Sequence, residues 1–335
     1  MTTLITGGCG YIGSHVVKQL SESGHNDLIV LDNLSTGSPE ALLHNETLLK
    51  NDLADTHKLE SILKDNSIKS IIHFAASIVV PESVSNPIKY YSNNTLNTLN
   101  LLKGAVNAGV ENFIFSSTAA VYGIPNSGIA FEEAATQPIN PYGWSKLMTE
   151  QIIQDIAAVH KLKFCILRYF NVAGADSQSR IGQRTPNATH LIKVACQAAT
   201  GKGDSVSIFG TDYPTPDGTA IRDYIHVDDL ASAHLLALSA LEAGTESGIF
   251  NVGYGRGSSV REVIEQVKKV SGKDFKVIES PRRAGDPPNL IAQSDKIRNK
   301  LKWKPQFDNL ETIVRDAWNW EQKLMREKEL LTNPQ

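Results

Sequence analysis

The amino-acid sequence predicts an α/β protein, with a doubly wound parallel sheet covered by helices on both faces and a smaller C-terminal α/β lobe. Three observations carry that reading. Short, nearly continuous apolar runs alternate with helix-like stretches through the first half of the chain. The first run ends in a glycine ladder, Gly7-Gly8-Cys9-Gly10-Tyr11-Ile12-Gly13, that leads straight into a helix-like segment. The length of 335 residues exceeds the usual reach of one core, so two lobes are expected.

The strand-like runs are Thr3–Thr6, Asp27–Asp32, Thr47–Asp52, Ser70–Phe74, Asn112–Ser116 and Lys163–Arg168. Between them lie the helix-like stretches Tyr11–Ser23, Asp55–Asp65, a long one from about Pro87 to Ala108, and Tyr142–His160. Pro141 precedes the last of these, where a helix start tolerates proline. From about Asn171 the alternation breaks down. Gly, Pro, Asp and Thr cluster at Gly174–Asn187 and Gly210–Gly218, as loops over a ligand cleft do. A strand at Gly248–Asn251 and helices at about Ser259–Val270 and Leu310–Glu327 complete the second lobe. The polar tail from Arg326 to Gln335 is expected to fray.

Composition narrows the function classes. A net charge of −3 with no long basic stretch argues against nucleic-acid and membrane-surface roles. No run of eighteen apolar residues predicts a membrane span. The chain is strand-like from its third residue and shows no signal peptide. Cys9, Cys165 and Cys196 have no metal spacing and cannot all pair, which fits a reduced cytoplasmic compartment and no metal site.

The glycine ladder carries the first chemistry. Gly7, Gly10 and Gly13 let the backbone turn tightly off the strand and approach a pyrophosphate. The helix beginning near Tyr11 and Ile12 aims its free N–H groups at the phosphates. Gly8, Gly10 and Gly13 also satisfy G-x-G-x-x-G. Asp32, ending the second apolar run, stands where a carboxylate accepts from adenosine ribose hydroxyls and repels a 2′-phosphate. The expected cofactor is therefore NAD rather than NADP, in a Rossmann domain.

Tyr142-Gly143-Trp144-Ser145-Lys146 places a phenol and an ammonium four residues apart, on one face of a helix. A nearby ammonium favours phenolate, so the pair predicts a base able to take a hydroxyl proton near neutral pH. By itself a Tyr and a Lys one turn apart is also an ordinary surface pattern. The hydroxyls of Ser116-Ser117-Thr118 end the preceding strand, where doubly wound sheets bind ligands. One of them can donate to a sugar oxygen or relay a proton, or simply fill a strand-end loop.

These residues carry a resemblance. The chain is similar to the extended short-chain dehydrogenase/reductases and, within them, to the UDP-glucose 4-epimerases, over nearly its whole length. The shared motifs include Thr6–His15, Asp32-Asn33-Leu34-Ser35, His73-Phe74-Ala75-Ala76, Tyr90–Asn94, Asn140-Pro141-Tyr142-Gly143, Leu167–Asn171, Gly218-Thr219, Arg222–Val227 and Arg282–Asp286. The resemblance implies Tyr142, Lys146 and Thr118 as the catalytic set. It implies Asp32, Asn33, Asp52, Leu53, Phe74, Ala75, Asn93, Ser116, Tyr142, Lys146 and Phe170, with the glycine turn, on the NAD side. On the UDP-sugar side it implies Thr118, Tyr142, Asn171, His190, Leu191, Phe209, Arg222, Tyr224, Arg283, Asp286 and Leu290. Arginine forks suit phosphate oxygens, Asp286 can accept from ribose, and Phe209 can pack on uracil. Residues 1–171 would form the NAD-binding domain. Residues 172–335 would mainly bind the UDP-sugar, with segments near 208–252 returning to the first sheet.

The implied reaction is reversible oxidation at C4 of a UDP-hexose, with a 4-keto sugar that turns over before the hydride returns. Three positions depart from the family pattern. Thr118 stands where many members have Ser, Ile78 where many carry a Lys near the cofactor, and His190 where an Asn commonly contacts UDP. Leu290 stands where hexose-specific members can carry a Tyr, so room for an N-acetyl group is expected. A homodimer through the two long helices is the family's usual arrangement. Two rivals are weighed against this reading. One is a 4,6-dehydratase or decarboxylase; dehydratases resembling this family place carboxylates just after the hydroxyl residue, where this chain has Ala119 and Ala120. A non-enzymatic NAD sensor has no use for Tyr142 and Lys146.

Overall fold

The computed structural model describes residues 1–185, 188–283 and 285–332. Pro186, Asn187 and Ala284, which fall in the expected cleft loop and in the Arg282–Asp286 motif, and the last three residues of the tail lie outside the described residues. Seven parallel strands form the main sheet: β1 (Thr3–Thr6), β2 (Leu28–Asp32), β3 (Thr47–Lys50), β4 (Ser70–His73), β5 (Asn112–Thr118), β6 (Lys163–Tyr169) and β7 (Gly248–Val252). Their spatial order is β7-β6-β5-β4-β1-β2-β3. The order reverses at β1, so the carboxyl ends of β1 and β4 flank the crevice where such sheets bind ligands.

Side chains alternate across the sheet between two helical layers. Leu4, Ile71, Phe113, Phe115 and Ile166 pack against α2 (Thr56–Asp65), α3 (Asn97–Ala108) and α4 (Pro141–Val159). Ile5, Ile72, Ile114, Cys165 and Leu167 face the opposite way, onto α1 (Tyr11–Glu22) and a later helix, Val227–Glu242. That second cluster runs on without a break into the C-terminal lobe through Ile192, Val206, Val263, Trp303 and Ile313. The chain's three cysteines are buried there and unpaired.

The long helix expected from Pro87 to Ala108 is interrupted. Its segment Tyr91–Leu96 is a wide π turn. Asn94 lies in it, fully buried, and bonds Ser77 on one side and Ser145 of α4 on the other, at 2.7–3.0 Å. The terminal helix, expected to end at Glu327, continues to Thr332.

The second lobe builds its ligand side from short paired strands. Ile221–Arg222 pairs with Ser258–Ser259 and with Asn289–Ala292, placing Arg222 opposite Leu290. Tyr224–His226 pairs with Asn171–Ala173, and Val206–Phe209 pairs with Val277–Ser280.

Candidate active site

The glycine turn is a cradle that side chains would fill. Gly7 has φ +71°, and a Cβ there would meet the Ala75 backbone N at 2.7 Å. A Cβ on Gly13 would meet Gly7 O at 2.3 Å. α1 starts at Gly10 with no side-chain cap, so its first N–H groups stay available. Asp32 ends β2 with Oδ2 accepting from Cys9 N at 3.0 Å and Oδ1 from Leu34 N at 2.8 Å. Those bonds hold Leu34 in the left-handed region (φ +61°) and leave lone pairs for ribose hydroxyls. Asn33 Nδ2 donates to Asp52 Oδ2 at 2.7 Å, and Leu53 is buried beside them. Tyr11 and Ile12 open α1, and Tyr11 OH donates to Gly174 O at 2.7 Å. Asn93 reaches Ser77 Oγ from the π turn. An uncapped helix N-terminus, a side-chain-free turn and a carboxylate one strand away fit a dinucleotide.

Tyr142, Lys146 and Thr118 converge at the end of β5. α4 is capped by Asn140, whose Oδ1 accepts from Gly143 N at 2.8 Å, with Pro141 as its first residue. Gly143 lets this first turn rest on the Ala119–Tyr122 turn: a Cβ would sit 2.8 Å from Ala120 O and 2.9 Å from Pro138 Cβ. That contact brings the Tyr142 phenol beside the Thr118 hydroxyl, which acts to lower its pKa. Thr118 Oγ1 also accepts from Ala120 N at 3.1 Å. Tyr90 meets the Tyr142 ring edge-on, centroids 6.4 Å apart.

The i, i+4 pair behaves differently from the simple expectation that the ammonium lowers the phenol. Burial is the largest effect on Tyr142 and pushes its phenol well above the ordinary range; the neighbouring Thr118 hydroxyl opposes it. Lys146 is 3% exposed, and burial pulls it down to about 7 against the raising influence of Glu150. Its Nζ donates to Ser116 O at 2.9 Å and lies 4.8 Å from the centre of the Phe115 ring. The protein therefore holds this lysine near its switching point.

Behind the trio lies a buried polar network that sequence reading missed. Glu150, fully buried one turn beyond Lys146, takes Arg168 through Nη2 at 2.6 Å and Nε at 3.0 Å, and also the Ser117 hydroxyl. Arg168 Nη1 donates to Tyr122 OH at 3.0 Å, and Tyr122 OH donates to Asn251 Oδ1 of β7 at 2.7 Å. Ser116 Oγ donates to Tyr169 OH at 2.9 Å. The i, i+4 spacing from Lys146 to Glu150 was visible, but a helix carboxylate usually reads as a solvated face.

The expected substrate-side residues of the second lobe come from five segments. Arg222 Nη2 lies 3.6 Å from Asp286 Oδ1, and Leu290 sits opposite Arg222 in register. The Arg283 guanidinium covers the Phe209 ring at 3.7 Å. Asn171 Nδ2 reaches Asp223 O at 3.4 Å. Leu290 is partly buried against a cluster that includes Phe170 and Tyr122. His190 precedes the helix Leu191–Ala199 and is exposed, with Nδ1 at 2.9 Å from Gln183 Nε2. Phe74 packs at a tilt against His234, ring centroids 4.8 Å apart, and Ile78 is exposed. Tyr224 is set apart: it is core-buried and lines a small cavity with Tyr254, Ser258 and Asn309. Among the described residues no group of His, Cys, Asp or Glu could hold a metal ion, and no helix is long and apolar enough to cross a membrane.

The sequence matches the NAD dependent epimerase/dehydratase family over residues 3–253. The chain belongs to that family. Within it, the chain is 53% identical to a UDP-glucose 4-epimerase of Azospirillum brasilense over 321 residues, covering 96% of this chain and 92% of that one. The UDP-Glc/GlcNAc 4-epimerase of Campylobacter jejuni superposes with a TM-score of 0.85 at 52% identity, covering 96% and 99% of the two chains. The UDP-glucose 4-epimerase of Brucella ovis, solved in complex with NAD, gives 0.92 at 41% identity over 95% and 97%. The epimerase family's cofactor, NAD, is the one the glycine turn and Asp32 fit.

Proposed function

We propose that this chain is an NAD-dependent UDP-sugar 4-epimerase that interconverts UDP-glucose and UDP-galactose, and UDP-GlcNAc with UDP-GalNAc. The observation that carries the reading is the convergence of Tyr142, Thr118 and Lys146 at the carboxyl end of β5, on the same edge of the parallel sheet as the glycine turn that follows β1. NAD, which the glycine turn, Asp32 and Asn33 would hold, would supply a reversible hydride acceptor for C4 and a positive charge that favours the phenolate. Tyr142 takes the 4-hydroxyl proton, directly or through Thr118, and gives it back after the sugar has turned. Lys146, when charged, favours the phenolate. Arg222 and Arg283 hold the diphosphate, Asp286 the ribose, and Phe209 the uracil, while Asn171, His190 and Leu191 complete the nucleotide side. Residues 1–171 serve NAD and 172–335 mainly serve the UDP-sugar, with β7 and its approach returning to the first sheet.

The N-acetyl activity rests on Leu290, which lacks a phenol and lies beside Arg222, and on the similarity to the Campylobacter jejuni enzyme. A homodimer is supported by the exposed apolar side chains of Leu96, Leu99, Trp144 and Met148 on adjoining helices. Three unpaired cysteines support a reducing, cytoplasmic location.

The test is an assay of UDP-galactose with no added reductant. UDP-glucose should accumulate to equilibrium without build-up of reduced cofactor or loss of water from the sugar. A 4-keto-6-deoxy product would point to a dehydratase, and no turnover would overturn the reading. Leu290→Tyr should suppress conversion of UDP-GlcNAc and spare that of UDP-galactose. Equal loss of both would remove Leu290 as the size determinant.

A further inference from the structure

The Arg222–Val227 motif holds a carboxylate that the reading above leaves without a role. Asp223 is fully buried, between Arg222 and Tyr224 in the chain. Backbone N–H groups close in on both of its oxygens. Oδ1 accepts from Tyr254 N at 3.0 Å, and Oδ2 accepts from Gly255 N at 2.9 Å and from Ala292 N at 3.2 Å. The adjoining guanidinium is engaged elsewhere, with Arg222 Nη1 donating to Ile221 O at 2.9 Å and Nη2 3.6 Å from Asp286 Oδ1. Gly253 supplies the clearance: a Cβ there would meet Asp223 Oδ2 at 2.8 Å and Ala292 Cβ at 2.6 Å. Taking a carboxylate out of water is costly, and these N–H groups are what offset it.

The segments joined at Asp223 are the ones that carry the expected substrate residues. Its backbone O accepts from Asn171 N at 3.0 Å, and its N donates to Leu290 O at 3.3 Å. Asn171 follows β6, and Tyr254 and Gly255 follow β7, so these segments leave the carboxyl edge of the main sheet. Leu290 and Ala292 belong to the Asn289–Ala292 strand of the second lobe. The side chain thus ties the exit of β7 to that strand, and the backbone ties the strand to the exit of β6. Asparagine has the shape for this task but one acceptor oxygen. Its NH2 would face Tyr254 N, or the N–H groups of Gly255 and Ala292, donor against donor.

We propose that Asp223 is a positioning residue for the UDP-sugar: its carboxylate fixes the backbone from which Arg222 reaches the diphosphate, at a set spacing from Asn171 and Leu290. It acts through Arg222, and no covalent bond changes. The inference rests on reading this face as the UDP-sugar site.

The experiment titrates UDP into the NAD-loaded protein and into Asp223→Asn, Arg222→Ala and the double variant. NAD content is measured after denaturation, and kcat and KM are measured for UDP-galactose. Asp223→Asn should weaken UDP about tenfold and raise KM by a similar factor, with kcat within about threefold and NAD content unchanged, because the trio stands on β5 and α4. In the Arg222→Ala background the same change should cost less than about threefold, since the group it positions is gone. Gly253→Ala displaces the carboxylate with every polar group kept, and it should weaken UDP by about threefold or more at unchanged kcat. It decides the matter if Asp223→Asn does not accumulate as folded protein. Unchanged UDP affinity, losses that multiply fully in the double variant, or kcat and NAD content falling in step with UDP affinity would each overturn the proposal. Failure of the parent protein itself to bind UDP would instead overturn the reading of the site.

Discussion

Glu150→Gln tests whether the buried network behind the trio sets the charge of Lys146. The substitution keeps shape but removes the carboxylate that Arg168 pairs with inside the protein. Leaving a buried guanidinium uncompensated costs about 3–5 kcal/mol. With an unfolding entropy of about 2 cal/mol/K per residue over 335 residues, the melting temperature should fall by roughly 4–7 °C. The same carboxylate is what holds Lys146 up to about 7 against burial. A charge pair one helical turn apart, about 5–6 Å, at an effective dielectric near 20 is worth roughly two pH units. The sign follows directly. Without Glu150 the lysine loses its proton at lower pH, the charged form that favours phenolate becomes scarcer, and the alkaline limb of the kcat profile shifts to lower pH. That limb belongs to the coupled Tyr142–Lys146 pair rather than to either group alone. The assay is kcat against pH between 6 and 10 at saturating UDP-galactose, on protein shown to retain NAD. A limb that stays in place or moves to higher pH refutes the reasoning, whatever the melting temperature does.

Tyr142→Phe removes the base and little else, so kcat should drop by about 10²–10⁴-fold while NAD stays bound, as absorbance of the purified protein will show. Turnover close to the parent's would eliminate Tyr142 as the base. NADP should bind stripped protein more weakly than NAD, because Asp32 is buried with its charge directed by two backbone N–H groups. Equal affinities in a titration would contradict this, and Asp32→Asn should narrow the gap.

The first half of the fold was legible because its signals are local. Strand length, glycine spacing and a Tyr–Lys pair one turn apart all lie within a few residues of one another. β5 runs two residues beyond the expected Ser116 because Ser117 and Thr118 are polar yet buried, and polarity reads as a strand end. The second lobe resisted for the opposite reason. Strands such as Ile221–Arg222 and Ser258–Ser259 are two residues long and exist only through partners far along the chain. The π turn at Tyr91–Leu96 leaves no mark on helical periodicity, since what holds it is Asn94 bonding Ser77 and Ser145. Glu150 and Arg168 are invisible as a pair because nothing local shows that a helix carboxylate and a strand guanidinium face each other inside the protein. The substrate-side arginines were named through family resemblance. Their own sequence context is that of ordinary surface charges.

The two halves of the site are built to different tolerances, and the reaction explains why. Around the trio the contacts are short and buried or half-buried: Lys146 to Ser116 O at 2.9 Å, Asn140 to Gly143 N at 2.8 Å, Arg168 to Glu150 at 2.6 Å. On the side proposed for the nucleotide, Arg222 and Asp286 stand 3.6 Å apart and Arg283 is exposed on its ring. A base must sit within hydrogen-bond reach of its proton, and small misplacements there are costly. The sugar must instead let go and present its other face, so affinity has to come from the remote nucleotide end. Gly143→Ala separates these demands without altering any charge. Its Cβ would press on Ala120 O and Pro138 Cβ at under 3.0 Å, forcing the start of α4 off the turn that carries Thr118. Overpacking of this kind costs about 1–3 kcal/mol in stability, and a phenol displaced from Thr118 should lose about ten- to a hundredfold in kcat. UDP affinity should hold, because Arg222, Arg283 and Asp286 sit on other segments. If UDP binding weakens in step with kcat, the two halves are not independently built; if kcat is unaffected, the close contact at Gly143 does not place the base.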